Sequence, residues 1–144
     1  MDVEIHEAMA GELDAAALYA FLKLRSDVFV VEQQCAYPEL DGRDLEAATR
    51  HLWINGDDGS PAAYVRVLAD PGAVRIGRVV TARAHRGQRL AERLILHALA
   101  TTEGDAVLDA QAYLQVWYER FGFAVSGPGY VEDGIPHVPM RLRR

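Results

Sequence analysis

The sequence predicts a mixed α/β fold, a central and mostly antiparallel sheet accompanied by helices. Three observations lead there. The strand-like runs His51–Asn55, Ala62–Leu68 and Ala73–Thr81 follow one another with only short turns between them, which implies an antiparallel meander. The period then changes, and Leu90, Leu94, Ile95, Ala98 and Leu99 repeat at helical spacing. Beyond them, Ala106–Ala110 and His137–Leu142 read as strands around a second helix, giving a β-α-β unit and a closing hairpin.

Each element has a local reason. Val3–His6 reads as a short first strand, and Gly11 interrupts it. Asp14 is a fitting N-cap for a helix reaching about Phe29, built from strong helix formers. Its Leu18 and Leu22, with Phe21 and Arg25, lie at helical spacings that turn one side to a core. The stretch Cys35–Asp44 holds a proline and an Asp-Gly pair and reads as loop. Asp70-Pro71-Gly72 is a turn. Within Ala73–Thr81, simple alternation puts Val74, Ile76, Arg78 and Val80 on one face and Arg75, Gly77, Val79 and Thr81 on the other. Gly104 is read as the stop of the helix begun at Leu90. Ala112–Phe121 reads as a helix ended by Gly122, Phe123–Val125 as a strand, and Glu132-Asp133-Gly134-Ile135 as a turn.

Composition bounds the function. A chain of 144 residues is the size of one domain, read here as 1–144. It is long enough to hold a core without disulfides or metal. Cys35 is the lone cysteine, so no internal bridge exists and a reducing cytoplasm is the expected compartment. The first residues, MDVEIHEAMAGELD, have neither the charge nor the apolar stretch of a signal peptide or presequence. No apolar run approaches the roughly 20 residues of a membrane helix, so no membrane partner is expected. The formal charge of −6 disfavours nucleic acid as a partner. Yet many arginines gather between Arg66 and Arg93, which suggests a local anion site as readily as solvated surface charge.

The segment Ile76–Leu96 sharpens that suggestion. A strand ends, a short basic loop follows, and a helix begins. Arg86-Gly87-Gln88-Arg89-Leu90-Ala91 stands where unpaired helix N–H groups and a partial positive charge are available. Gly87 permits close backbone approach, and Arg86 and Arg89 add full charges, which together suit a pyrophosphate. An ordinary helix start with solvated arginines fits the same residues. The loop lacks the Gly-Lys-Ser/Thr of a Walker loop and the glycines of GxGxxG.

The loop resembles the coenzyme A pyrophosphate loop of the GNAT superfamily, Arg/Gln-x-x-Gly-x-Gly/Ala. Arg86 and Ala91 match its first and last positions, while Arg89 replaces its central glycine. Phe21–Asp44, Ala110–Phe123 and Glu132–Leu142 are similar to the ElaA-like branch, so the resemblance covers nearly the whole chain. It implies helices on both faces of a mostly antiparallel sheet, with acetyl-CoA as co-substrate and an N-acetyltransferase activity. Trp117-Tyr118-Glu119-Arg120-Phe121-Gly122-Phe123 looks like the family's Tyr-Glu-x-x-Gly-Phe signature, which implies that Tyr118 protonates the departing thiolate. Packing in the core is the plain alternative for Tyr118. Gln111 stands where many members have an Asn that contacts the coenzyme arm. The strand end Val79, Val80 and Thr81 is where the family's backbone pairs with pantetheine amides.

The general base is not marked by any motif. The strand before the loop offers Arg75, Gly77 and Arg78, with no carboxylate. Glu32 and His137 rank first among the candidates, ahead of Glu132 and Asp133; surface or capping roles are the alternative for each. No HExxH or similar pair suggests a metal, and no cysteine–histidine or Gly-x-Ser-x-Gly motif suggests a covalent nucleophile. The expected reaction is direct acetyl transfer to a primary amine of a small molecule or peptide. Glu32, Glu39, Asp41 and Asp44 are expected to attract a cationic amine. The alternative is a non-catalytic acyl-CoA sensor or interaction module on the same fold, and a homodimer is left open.

Overall fold

The computed structural model describes residues 3–144; the first two positions lie outside them. The strands are β1 His6–Met9, β2 Arg50–Asn55, β3 Pro61–Asp70, β4 Ala73–Thr81, β5 Asp105–Gln111, β6 Ala124–Val125, β7 Tyr130–Glu132 and β8 Ile135–Leu142. The α-helices are α1 Ala15–Arg25, α2 Leu90–Ala100 and α3 Gln115–Glu119. The strands form one sheet in the order β1-β2-β3-β4-β5-β8-β6, with β7 also on β8. All pairs are antiparallel except β4 with β5. The mixed, mostly antiparallel sheet expected from the sequence is therefore present.

Helices cover both faces. On one, Leu90, Leu94, Ile95 and Ala98 of α2 pack on Leu52, Val65, Val67, Ile76 and Leu108. On the other, Phe21, Leu24 and Val28 pack on Tyr64 and Val80. Burial of these side chains is the main force holding helices to sheet. Asp14 caps α1, accepting the Ala17 N–H at 2.7 Å. Asp133 and Gly134, both at positive φ, make the tight β7–β8 turn.

Several element boundaries differ from the sequence reading. The first strand starts at His6 rather than Val3. The first helix is regular only to Arg25 and continues as a π-helical segment, Ser26–Glu32. Its buried stripe is Phe21, Leu24, Arg25 and Val28, whereas Leu18 and Leu22 are only half-buried. Helix α2 ends at Ala100, and Gly104 instead takes positive φ in the turn to β5. The segment after β5 begins with a 3-10 turn, Ala112–Leu114, and α3 ends at Glu119.

A bulge in β4 reverses one face. Tyr64 pairs with Val80 but Arg66 with Gly77, so Val65 faces two residues, Arg78 and Val79, and Arg78 sits at φ 51. The extra residue moves Val80 to the α1 face, away from Val74 and Ile76, with which simple alternation had grouped it.

Candidate active site

β4 and β5 run side by side only from Ala73–Arg75 to Asp105–Val107. Beyond Arg75 they splay, and the gap opens into a cleft of about 830 Å³. Ile76–Thr81 form one wall, and Leu108, Asp109 and Gln111 form the other. Trp117 and Tyr118 of α3 reach it, as do Phe29 and Glu32 of the π-helical segment. This size suits a small ligand or a cofactor arm.

The wall of β4 has free backbone groups. The Ala82 N–H donates to the Ala62 carbonyl at 2.8 Å. Antiparallel alternation then turns the Val80 N–H and carbonyl toward β3. The planar trans peptides on either side must point oppositely, so the Val79 carbonyl and Thr81 N–H face the gap. Of the three residues singled out at this strand end, Val79 and Thr81 offer the cleft backbone groups, while Val80 supplies a core side chain and none of that edge.

The loop before α2 lies at one end of the same cleft. Gly87 takes φ 83 with nothing within 4 Å of where a Cβ would stand. Arg89 takes φ 58 at the helix N-cap, and no side chain caps the first turn. Left-handed residues before an uncapped helix turn successive N–H groups outward, an arrangement suited to phosphate. Gln88 and Arg89 are exposed, with Arg89 lying 4.0 Å from Glu92. Ala91 lines the cleft. Leu90 points its side chain into the core, so only its backbone N–H is available to a ligand.

Arg86 is not free. Its Nη1 and Nη2 donate to Glu32 at 2.6 and 2.9 Å, and its Nε donates to the Thr81 carbonyl at 3.2 Å. This contact holds the Glu32 carboxyl below its usual range, which counts against Glu32 as a base at neutral pH.

Tyr118 combines burial with access. Its ring packs edge-on against Trp117 and Phe123, and the residue is 6% exposed while lining the cleft. Burial pushes its phenol well above the ordinary tyrosine value, so the proton stays on at neutral pH. His137 on β8 stands opposite Gln111 on β5. Its Nδ1 lies 2.7 Å from the Ile135 carbonyl, which makes Nδ1 the donor and leaves Nε2 as the basic nitrogen of the neutral ring. Tyr130 stacks on the imidazole at 5.6 Å between centroids. Gln111 is steered by Gln33, its Nε2 donating at 3.3 Å.

Sequence reading missed a charge network beside the cleft. Arg25 pairs with Glu39 and Asp44, Arg66 with Asp41 and Asp44, and Arg78 with Glu39 and Asp41. Arg25, Glu39, Asp44 and Arg66 are buried. With Glu32 held by Arg86, each of the four carboxylates expected to draw a cationic amine is already neutralised by arginine. That expectation is corrected: the acidic stretch clamps a loop. Cys35 is buried, with its Sγ 3.4 Å from the Asp133 carbonyl. Among the described residues, no group of three or more His, Cys, Asp or Glu stands close enough to hold a metal ion, and no helix is long and apolar enough to cross a membrane.

A parallel pair that splays beside an uncapped helix offers room for an acyl-CoA, and the family match and structural relatives place the protein in the acyltransferase class. The chain belongs to the GNAT acetyltransferase family, whose "Acetyltransferase (GNAT) domain" matches residues 20–144, and within it to the ElaA-like branch. An acyl-CoA N-acyltransferase from Pseudomonas aeruginosa superposes with a TM-score of 0.92 at 42% identity, covering 98% of this chain and 99% of that one. Escherichia coli ElaA gives 0.91 at 38% identity, covering 99% and 100%. A UPF0039 protein of Mycobacterium tuberculosis is 48% identical over 97% of this chain and 93% of its own length.

Proposed function

We propose that the protein transfers an acetyl group from acetyl-CoA directly to a primary amine of a small molecule or peptide. One observation carries this reading: β4 and β5 part after Arg75 and Val107, and the gap runs from the α2 N-terminus to Tyr118. Bound acetyl-CoA supplies an activated thioester. The Arg86–Ala91 loop holds its pyrophosphate through Arg86, Arg89 and the N–H groups of Gly87, Gln88, Leu90 and Ala91. The free Val79 carbonyl and Thr81 N–H pair with its amide-bearing arm, and Gln111 faces them across the gap.

His137 Nε2 takes the proton that the attacking amine must lose. An N–H of the β4 edge polarises the thioester carbonyl, and Tyr118 gives its phenolic proton to the departing thiolate. Holding amine and thioester together supplies most of the rate gain. No residue of the chain needs to carry the acyl group. The acidic chain is a poor match for nucleic acid, and a reducing cytoplasm suits both the donor and the lone Cys35.

The test is thiol release from acetyl-CoA across a panel of primary amines, alongside calorimetric binding of acetyl-CoA. Micromolar binding with amine-dependent thiol release supports the reading. Binding without turnover on any amine favours the sensor alternative, and no binding removes both.

A further inference from the structure

Glu32 closes the π-helical segment and meets Arg86 in the loop before α2, so that two elements 54 residues apart are tied across the cleft. The contact is bidentate, at 2.6 and 2.9 Å. It occupies the edge of the guanidinium best shaped for two phosphate oxygens. Glu32 and Arg86 side chains are 33% and 41% exposed, so water screens the pair and the contact is weak. The backbone under Glu32 is π-helical, a rare form of helix often found at functional sites.

We propose that Glu32 is a displaceable placeholder at the pyrophosphate subsite, competing with the acyl donor for the same edge of Arg86. This rests on the reading of Arg86–Ala91 as the donor's pyrophosphate loop. A diphosphate wins the contest because it also collects the N–H groups of Gly87 and the first turn of α2, out of which Glu32 gains nothing. A ligand with a single weak charge does not repay the lost ion pair. Glu32 thus sets affinity at the subsite: it weakens any anion that must use that edge of Arg86, and only one that also collects the loop N–H groups still binds well.

The experiment is calorimetric titration of the full chain and its Glu32→Gln, Glu32→Asp, Arg86→Gln and doubly substituted variants. Acetyl-CoA and acetyl-pantetheine, which lacks the diphosphate, are the ligands, and thermal melting checks each variant. Glu32→Gln is expected to bind acetyl-CoA about two- to fivefold more tightly, the scale of an exposed ion pair. Glu32→Asp falls between, acetyl-pantetheine is unaffected, and the gain vanishes when Arg86 is also replaced. Unchanged or weaker acetyl-CoA binding by Glu32→Gln overturns the proposal, because Glu32 would then orient Arg86 rather than compete for it. Equal tightening of acetyl-pantetheine overturns it too, since the effect would lie at the arm. Failure of the parent protein to bind acetyl-CoA is a different result and removes the donor reading itself.

Discussion

Arg25 Nε and Glu39 Oε2 lie 2.8 Å apart in the interior, and Arg25 is wholly shielded from solvent. The same guanidinium reaches Asp44 Oδ1 at 2.6 Å, so one residue of α1 pins both ends of the loop Glu39–Asp44. The pinned loop carries Asp41 to the cleft wall. Charges removed from water are costly, and the arrangement holds because each has partners.

Arg25→Met should therefore destabilise the fold by about 3 kcal/mol, the scale of a broken buried pair, rather than by the smaller cost of lost packing. Glu39 and Asp44 keep Arg78 and Arg66, which places the loss at the low end of that scale. Urea unfolding measures it, and a change under 1 kcal/mol would mean that the loop relaxes into water.

Stability should also fall with acid in two stages. His51 Nε2 lies 3.0 Å from the Asp44 carbonyl and must donate to it; Nδ1 then accepts from the Tyr64 hydroxyl at 2.6 Å. That pattern uses the neutral ring, and burial lowers its proton affinity. The unfolded chain then binds more protons below the ordinary histidine value of about 6.5, so stability is full above that pH and declines beneath it. Asp41 and Asp44 are held low by Arg66 and Arg25 against the opposing effect of burial. Their contribution is present above the usual carboxylate range, near 4, and is lost as pH falls further. Melting temperatures from pH 8 to 3 test this, and a flat profile between 7 and 5 would count against the His51 stage.

The meander was legible because Ala73–Thr81 alternates, Asp70-Pro71-Gly72 turns, and the apolar period changes at Leu90. These signals are local. The bulge at Arg78 was not legible, since alternation reads on through an inserted residue and a bulge depends on how β3 pairs opposite it. The arginine clamps were hidden for a related reason. Arg25 and Asp44, or Arg78 and Glu39, are far apart in sequence, and only the fold makes them neighbours. Read singly, Glu39, Asp41 and Asp44 look like free charge. At the loop before α2, residue types pointed to an anion, while the partner already holding Arg86 lay in another segment.

Gly87 separates a local backbone effect from a binding effect. At φ 83, a side chain there costs about 1 kcal/mol or somewhat more, although nothing obstructs the Cβ. Gly59, at φ 81 and equally unobstructed, lies in the β2–β3 turn outside the cleft. Gly87→Ala and Gly59→Ala should lower stability by similar amounts, while only Gly87→Ala weakens acetyl-CoA binding. Equal binding by both variants would show that the loop backbone does not meet the donor.

Tyr118 and His137 should leave different marks on activity. Burial raises the Tyr118 phenol above its ordinary value, so the acid form persists through the neutral and mildly alkaline range. Tyr118→Phe removes the proton and keeps the ring that packs against Trp117 and Phe123. Turnover should fall about 100-fold, with acetyl-CoA affinity and melting temperature preserved, because general acid catalysis contributes on that order. His137→Ala removes the basic nitrogen and leaves space, so added imidazole should restore part of its lost turnover and none of that lost by Tyr118→Phe. Steady-state rates with and without imidazole distinguish the two. Turnover unchanged by Tyr118→Phe would return Tyr118 to the core and leave the thiolate to be protonated by water in the cleft.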